Sequence, residues 1–215
     1  PGRVKILKLV NSKINLIITF FNNDDDRLNF IDSLDKPIRD WANLFIKKGK
    51  HRNSITKSDS YLSSHLIDLP VFNDDEWLLN HKEKIEIAND HLKSLEIILN
   101  DIRELKSLNL VNRYTLEIYE QVAKLAHFSY KFMIEISNYA EGSSSIEALL
   151  NNEKEFEFLR NEFEKVYSKT RVINKSENYI LDQDHHRHTA NQSINMDWQF
   201  IGELKLFEKL NLTYK

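Results

Sequence analysis

The densest chemistry in the sequence lies between Leu181 and Phe200, LDQDHHRHTANQSINMDWQF, where three histidines, three aspartates, an Asn-Gln pair and a tryptophan fall within twenty residues. Asp182, Asp184, His185, His186 and His188 are side chains that suit zinc or a hard transition metal, since imidazole and carboxylate make a common catalytic set. Asp184, His185 and His188 are the metal candidates within it. The spacing argues against that use, because adjacent His185 and His186 tend to point apart and no second ligand pair stands at i, i+4 on another expected helix. Two other readings stay open. Asp and His side chains satisfy backbone groups in long connections, as caps and Asx-turns do, or the cluster lines a surface shared with another part of the protein. In the first of these, Asn191, Gln192 and Trp198 form the structural core of the stretch. In the second, the corner from His185 to His188 is where substrate or a neighbouring loop would touch.

Elsewhere the chemistry is sparser. A di-metal site in a helical bundle needs Glu-x-x-His on facing helices, and the long apolar-periodic segments carry no such pair. Glu117, Glu120 and Glu135 lie on or beside one of those segments, where solvation or capping accounts for them. His127, set between Ala126 and Phe128 on an apolar helix, reads as a satisfied core histidine. The neighbouring aromatic stripe of Phe128, Tyr130, Phe132 and Tyr139 reads as core packing rather than a cofactor pocket. No Gly-rich phosphate loop, nucleophile elbow or HExxH is present, and no cofactor is expected.

Composition narrows the class further. The 215 residues hold 30 Lys and Arg against 33 Asp and Glu, a net charge of −3, so no global field draws in nucleic acid or an anionic membrane. The absence of cysteine excludes disulfides, thiolate catalysis and cysteine-ligated zinc, and agrees with a cytoplasmic rather than a secreted location. Four glycines and three prolines leave few breaks and favour long helices. The early run ILKLVNSKINLIITFF is too polar to span a bilayer and has no cleavage pattern of a signal peptide. Pro1 in place of an initiator leads us to expect that the chain is part of something larger.

These features point to an all-α fold, an antiparallel bundle of three long helices plus a C-terminal helix, with a smaller N-terminal helical segment. Residues 4–21 lean towards helix, although INLIITFF would also suit a short buried strand. Asp35 and Pro37 start a helix with an inward stripe of Ile38, Trp41, Ala42, Phe45 and Ile46. The basic, serine-rich stretch 47–64 reads as a linker with a solvated surface, dividing an N-terminal part (1–65) from the bundle (66–215). Beyond it, Asn73 or Asp74 caps a helix over 74–107 whose seam is Ile85, Ala88, Leu92, Leu95, Leu99 and Ile102. A second helix over 112–140 is apolar on more than one side and should therefore be central, ending at Glu141-Gly142. Ser143 to Ser145 cap a third helix that runs to about 171, with Ile146, Leu149, Phe156, Leu159, Phe163 and Val166 turned inward. A last helix over 197–210 closes the bundle through Trp198, Ile201, Leu204, Phe207 and Leu210.

Three segments, LPVFNDDEWLLNHKEKIEIA, NRYTLEIYEQVAKLAHFSYKFM and ILDQDHHRHTANQSINMDWQFIGELKLFEKL, resemble the helical C-terminal region of bacterial family 20 glycoside hydrolases, the β-N-acetylhexosaminidases. The resemblance covers about residues 66–212. It implies a non-catalytic domain that packs against a TIM-barrel of the same polypeptide, the barrel holding the adjacent Asp-Glu pair that removes N-acetylhexosamine from its carbohydrate substrate. No catalytic residue carries over, since Asp75-Glu76 is adjacent but stands at an expected helix start rather than after a barrel strand. The runner-up readings are a helical scaffold for a protein partner and a metal-binding module using the His-Asp cluster. Replacing Trp198 by Ala is expected to destabilise the protein by about 3 kcal/mol or more, and a thermal melt unchanged by the substitution would remove Trp198 from the core.

Overall fold

A computed structural model describes residues 36–41, 43–49, 65–107, 113–169 and 201–214. Within them the chain is all-α. Helix α1 spans Asp75–Ser107, α2 Arg113–Ala140, α3 Ile146–Tyr167 and α4 Ile201–Tyr214, with a helical segment at 36–41 ahead of them. Residues 181–200, which hold the whole His-Asp cluster with Asn191, Gln192 and Trp198, lie outside the described residues, as do residues 1–35.

The helix starts follow from local chemistry. Asp74 accepts from the backbone N–H of Trp77 at 2.9 Å and also from that of Val71 at 3.1 Å, so one carboxylate caps α1 and holds the turn leading into it. Ser145 caps α3 by accepting from Ala148 at 3.3 Å. The α2–α3 turn is made at Gly142, whose φ of +77° is open to glycine, and a Cβ there would meet Asn73 Oδ1 at 2.0 Å. Asn73 itself sits at φ 58°.

Contacts between helix ends define the topology. The backbone N–H of Asp74 donates to the carbonyl of Ala140 at 2.8 Å, bringing the start of α1 to the end of α2. Tyr114 at the start of α2 donates to the carbonyl of Tyr167 at the end of α3, at 3.3 Å. Both pairs are antiparallel, with α2 packed between its neighbours. Helix α4 runs parallel to α2, matching Glu203 to Ser129, Phe207 to Phe132 and Tyr214 to Tyr139.

Burial is deepest on α2. Ala123, Leu125, Ala126, Phe128, Tyr130, Phe132, Met133 and Ile136 are all buried, as the two-sided apolar pattern requires of a central helix. The α1 seam is Ala88, His91, Leu95, Ile98, Ile102 and Leu105, a steady alternation of three and four. The expected seam positions Leu92 and Leu99 are only partly buried beside it. A seam one residue away from the apolar count was hidden because it contains a histidine. Helix α3 turns Leu149, Phe156 and Phe163 inward as expected.

Two local expectations need correction. The helix carrying Ile38 and Trp41 does not continue through Phe45 and Ile46. Asn43 to Phe45 form a turn, Lys47 donates to the His65 carbonyl at 2.7 Å, and Ile67 donates to the Phe45 carbonyl at 3.0 Å. Pairing with residues 65–67 satisfies these backbone groups on both segments and overrides helical periodicity, although Phe45 and Ile46 are still buried. The last helix runs to Tyr214 rather than ending near 210, because the Tyr214 hydroxyl donates to the carbonyl of Pro70 at 2.7 Å and ties its final turn to the chain before α1.

The described segments meet in a single apolar core that also takes in Trp41, Leu44, Phe45 and Ile46. At its centre the Phe207 ring lies 4.7 Å from Phe132, 5.7 Å from Phe156 and 6.4 Å from Phe128, joining α4 to both α2 and α3. Phe207→Ala is expected to cost about 3–5 kcal/mol by leaving a cavity between three helices, read from urea unfolding. A loss below about 1 kcal/mol would mean that α4 is not seated by this ring.

Candidate functional site

Two groups of polar side chains stand out among the described residues. The first is internal. Glu203, 2% exposed, accepts through Oε1 from Trp41 Nε1 at 2.6 Å and from Ser129 Oγ at 2.7 Å. Beside it, His91 Nε2 lies 2.8 Å from Asp40 Oδ2, and the His91 ring tilts against that of Tyr130 at 5.0 Å. The buried Tyr130 hydroxyl donates to the Pro37 carbonyl at 2.6 Å, and burial pushes its acidity further out of the physiological range. Each bond crosses from segment 36–41 to a helix, or from one helix to another. A directional bond between distant segments fixes orientation and register, which apolar burial alone leaves loose.

The second group lines an open cleft of about 610 Å³, walled by residues 43–49, by Ile67 and Asp68, and by the α1 face from Asn80 to Ile87. The carboxylate of Asp68 meets Lys47 at 2.8 Å and Lys209 at 3.4 Å. Burial pushes the Asp68 carboxyl up, but these two lysines outweigh it and hold it below the usual range. Lys48 meets Glu83 at 3.6 Å. His81 stacks on Trp77 with ring centroids 4.1 Å apart, and its Nδ1 lies 2.8 Å from the Trp77 carbonyl. A carbonyl only accepts, so Nδ1 carries the proton; burial, opposed by that bond, depresses the ring's basicity and favours the neutral form. Lys84 Nζ donates to the Asn43 carbonyl at 2.8 Å. Burial pulls this amine down to about 8, with Glu83 opposing.

The residues singled out by type in the sequence divide into those seen and those not. Asp182, Asp184, His185, His186, His188, Asn191, Gln192 and Trp198 lie outside the described residues. Among the described residues no three histidine or carboxylate side chains gather closely enough to hold a metal ion. His127 is half-buried and faces Glu96 at 3.8 Å, with burial lowering its basicity against the pull of that carboxylate. Glu120 bonds Lys106 across to α1 and meets Lys124 at 2.9 Å on its own helix. Glu117 meets Lys169 at 2.7 Å, and the Ser144 hydroxyl lies at 3.5 Å from Glu135. These three carboxylates therefore support helix packing and the α2–α3 turn.

Asp40, His91, Glu203 and Lys84 escaped attention in the sequence because each is an ordinary polar residue in a helical pattern. For His91 alone a signal was present, since it falls at a three-four position between Ala88 and Leu95. Glu203→Ala is expected to destabilise the protein by about 1–3 kcal/mol because it breaks the buried bond from Trp41, while the Ser129 hydroxyl keeps the Leu125 carbonyl at 3.1 Å. A double-mutant cycle with Trp41→Phe should show coupling above about 0.5 kcal/mol, and additive losses would show that the Glu203–Trp41 contact carries no energy.

No helix among the described residues is long and apolar enough to cross a membrane. Compared with protein-family models, with curated proteins and with solved structures, the chain finds no match.

Proposed function

We propose that this chain is a non-catalytic helical domain of a bacterial β-N-acetylhexosaminidase of glycoside hydrolase family 20, docked on the catalytic barrel of the same polypeptide. The observation that supports this reading most directly is the apolar tip ahead of α1, where Val71 is 65% and Phe72 52% exposed. Phe72 packs edge-on against Tyr139 at 5.7 Å, and Tyr139 packs against Tyr214 at 6.0 Å, so the tip continues into an aromatic row from α2 to α4. Tyr139 behind the tip is itself buried, so the exposed part is the pair Val71 and Phe72, two adjacent apolar side chains that a neighbouring domain would cover. The tip is also rigid in its local bonding, because Asp74 holds the Val71 N–H and the turn abuts Gly142. A preformed surface loses little entropy on docking. The same residues belong to LPVFNDDEWLL, one of the segments that carry the family resemblance.

The distribution of polar groups fits a binding rather than a catalytic role. Glu203, His91 and Glu120 are engaged in bonds between segments, and glycoside hydrolysis needs two carboxylates on either side of a bound sugar. Sequencing the gene on the 5′ side of the Pro1 codon is expected to read a barrel with an adjacent Asp-Glu pair. In that full-length protein Val71→Ser with Phe72→Ser should uncouple the two domains, turning one thermal transition into two. An unrelated upstream region, or release of nitrophenol from a chromogenic N-acetylglucosaminide by the isolated chain, would overturn the reading.

A further inference from the structure

We propose that the end of the bundle carrying Val71 and Phe72 docks on a cationic surface of its neighbour, where lysine or arginine side chains around a shallow apolar pocket meet the carboxylates beside that pair. The inference rests on the docked-domain reading above and adds the chemistry of the surface that receives it. Segregation of charge carries the argument. The chain has 30 Lys and Arg in 215 residues, yet residues 58–81 and 132–153 contain none. The Asp74 N–H, donating to the Ala140 carbonyl at 2.8 Å, brings these two stretches together. Asp75, Glu76, Glu141 and Glu147 are exposed at this end and Asp74 is half-buried, and none of the five forms an ion pair with a described residue. Lys209 of α4 is turned to Asp68 at 3.4 Å. Even set against Lys215, the next residue after Tyr214, the five carboxylates leave an excess of four.

Helix starts alone do not account for this excess. Asp75, Glu76 and Glu147 stand in first turns, where the positive end of the helix dipole favours them. The same end of the bundle also receives the C-termini of α2 and α4, whose dipoles point the other way and offset that field. Neither of those helices has a basic residue in its last turn, and Glu141 follows α2 directly, where a carboxylate is locally unfavourable. The opposite end differs. There Lys106 meets Glu120, Arg113 and Lys169 meet Glu117, and Lys165 meets Glu162. Acid and base are interleaved at that end and segregated beside the exposed apolar pair.

The sign of the charge selects the partner. Phosphate backbones and anionic lipid surfaces are repelled by this end. No three histidine or carboxylate side chains among the described residues gather closely enough for a metal ion, so the carboxylates are spaced for separate cationic side chains. Two apolar side chains cover a small area, and a complementary charged rim gives such a contact its orientation.

The test follows thermal unfolding of the full-length polypeptide by calorimetry, with the isolated chain as the control for folding. At about 20 mM NaCl the two domains are expected to melt in one transition and at about 0.5 M in two, because exposed charge pairs are screened. Asp75→Asn with Glu76→Gln and Glu141→Gln should give two transitions already at low salt, with the melting temperature of the isolated chain unchanged. Glu104→Gln, exposed near the end of α1 away from the tip, should change neither. The proposal is overturned if the single transition survives either the salt or the three neutralisations while Val71→Ser with Phe72→Ser still splits it, and docking then stands on apolar contact alone. A wild-type protein that melts in two transitions at every salt concentration would remove the docked-domain reading itself, and this inference with it.

Discussion

The position of one ring, Phe207, decides whether the helices form a closed bundle. Helices α1 to α3 follow closely on one another in sequence and make their own seams, but α4 reaches them only from a distance in sequence. Its side chain stands among Phe128, Phe132 and Phe156, so one residue touches two helices that already pack together. Aromatic rings bury large areas and prefer offset or edge contacts, which gives the wedge both energy and a definite angle. Phe45 meets Phe132 at 5.9 Å from another side, so the segment before α1 is joined to the same aromatic group.

Polar bonds then select one arrangement from those that aromatic packing would allow. Glu203 links α4 to Trp41 and Ser129, and the Asp40–His91 pair links segment 36–41 to α1. Sliding α4 by one turn would break the bond from the Trp41 indole N–H, while the Ser129 hydroxyl would turn to the Leu125 carbonyl 3.1 Å away on its own helix. The stretch 65–74 has a comparable double role. Asp68 forms part of the cleft wall while its carbonyl accepts from Trp77 Nε1 at 2.6 Å, and a few residues later the same stretch carries Val71 and Phe72 outward. The cleft and the apolar tip are therefore built on one connection, held at both ends by bonds to the bundle.

Much of this was legible beforehand. The bounds of α1 and α2 agree closely with the periodic segments, because Asp74 and Gly142 mark ends by local mechanisms that need no knowledge of the fold. The two-sided apolar pattern placed α2 at the centre, and its burial agrees. The break after Trp41 was not legible, since Phe45 and Ile46 continue the helical spacing and are indeed buried. What stops the helix is pairing with residues 65–67, a contact that propensity does not record. The end of α4 was placed short for a similar reason, its final turn being held by the distant Pro70 carbonyl. Of the site residues, the sequence drew the eye to the concentrated histidines and aspartates at 182–188 and passed over isolated Lys84, Asp40 and Glu203.

By itself the sequence determined that the chain is helical, how its three long helices are divided and which of them is central, because apolar period, caps and turn residues are local properties written in consecutive positions. Only the tertiary structure decided that His91 lies in a seam, that Glu203 ties three segments, and that Lys84 reaches from α1 to the Asn43 carbonyl across a cleft. Those properties depend on which distant groups stand within hydrogen-bonding reach and how much water is excluded between them, and neither quantity is encoded at any single position.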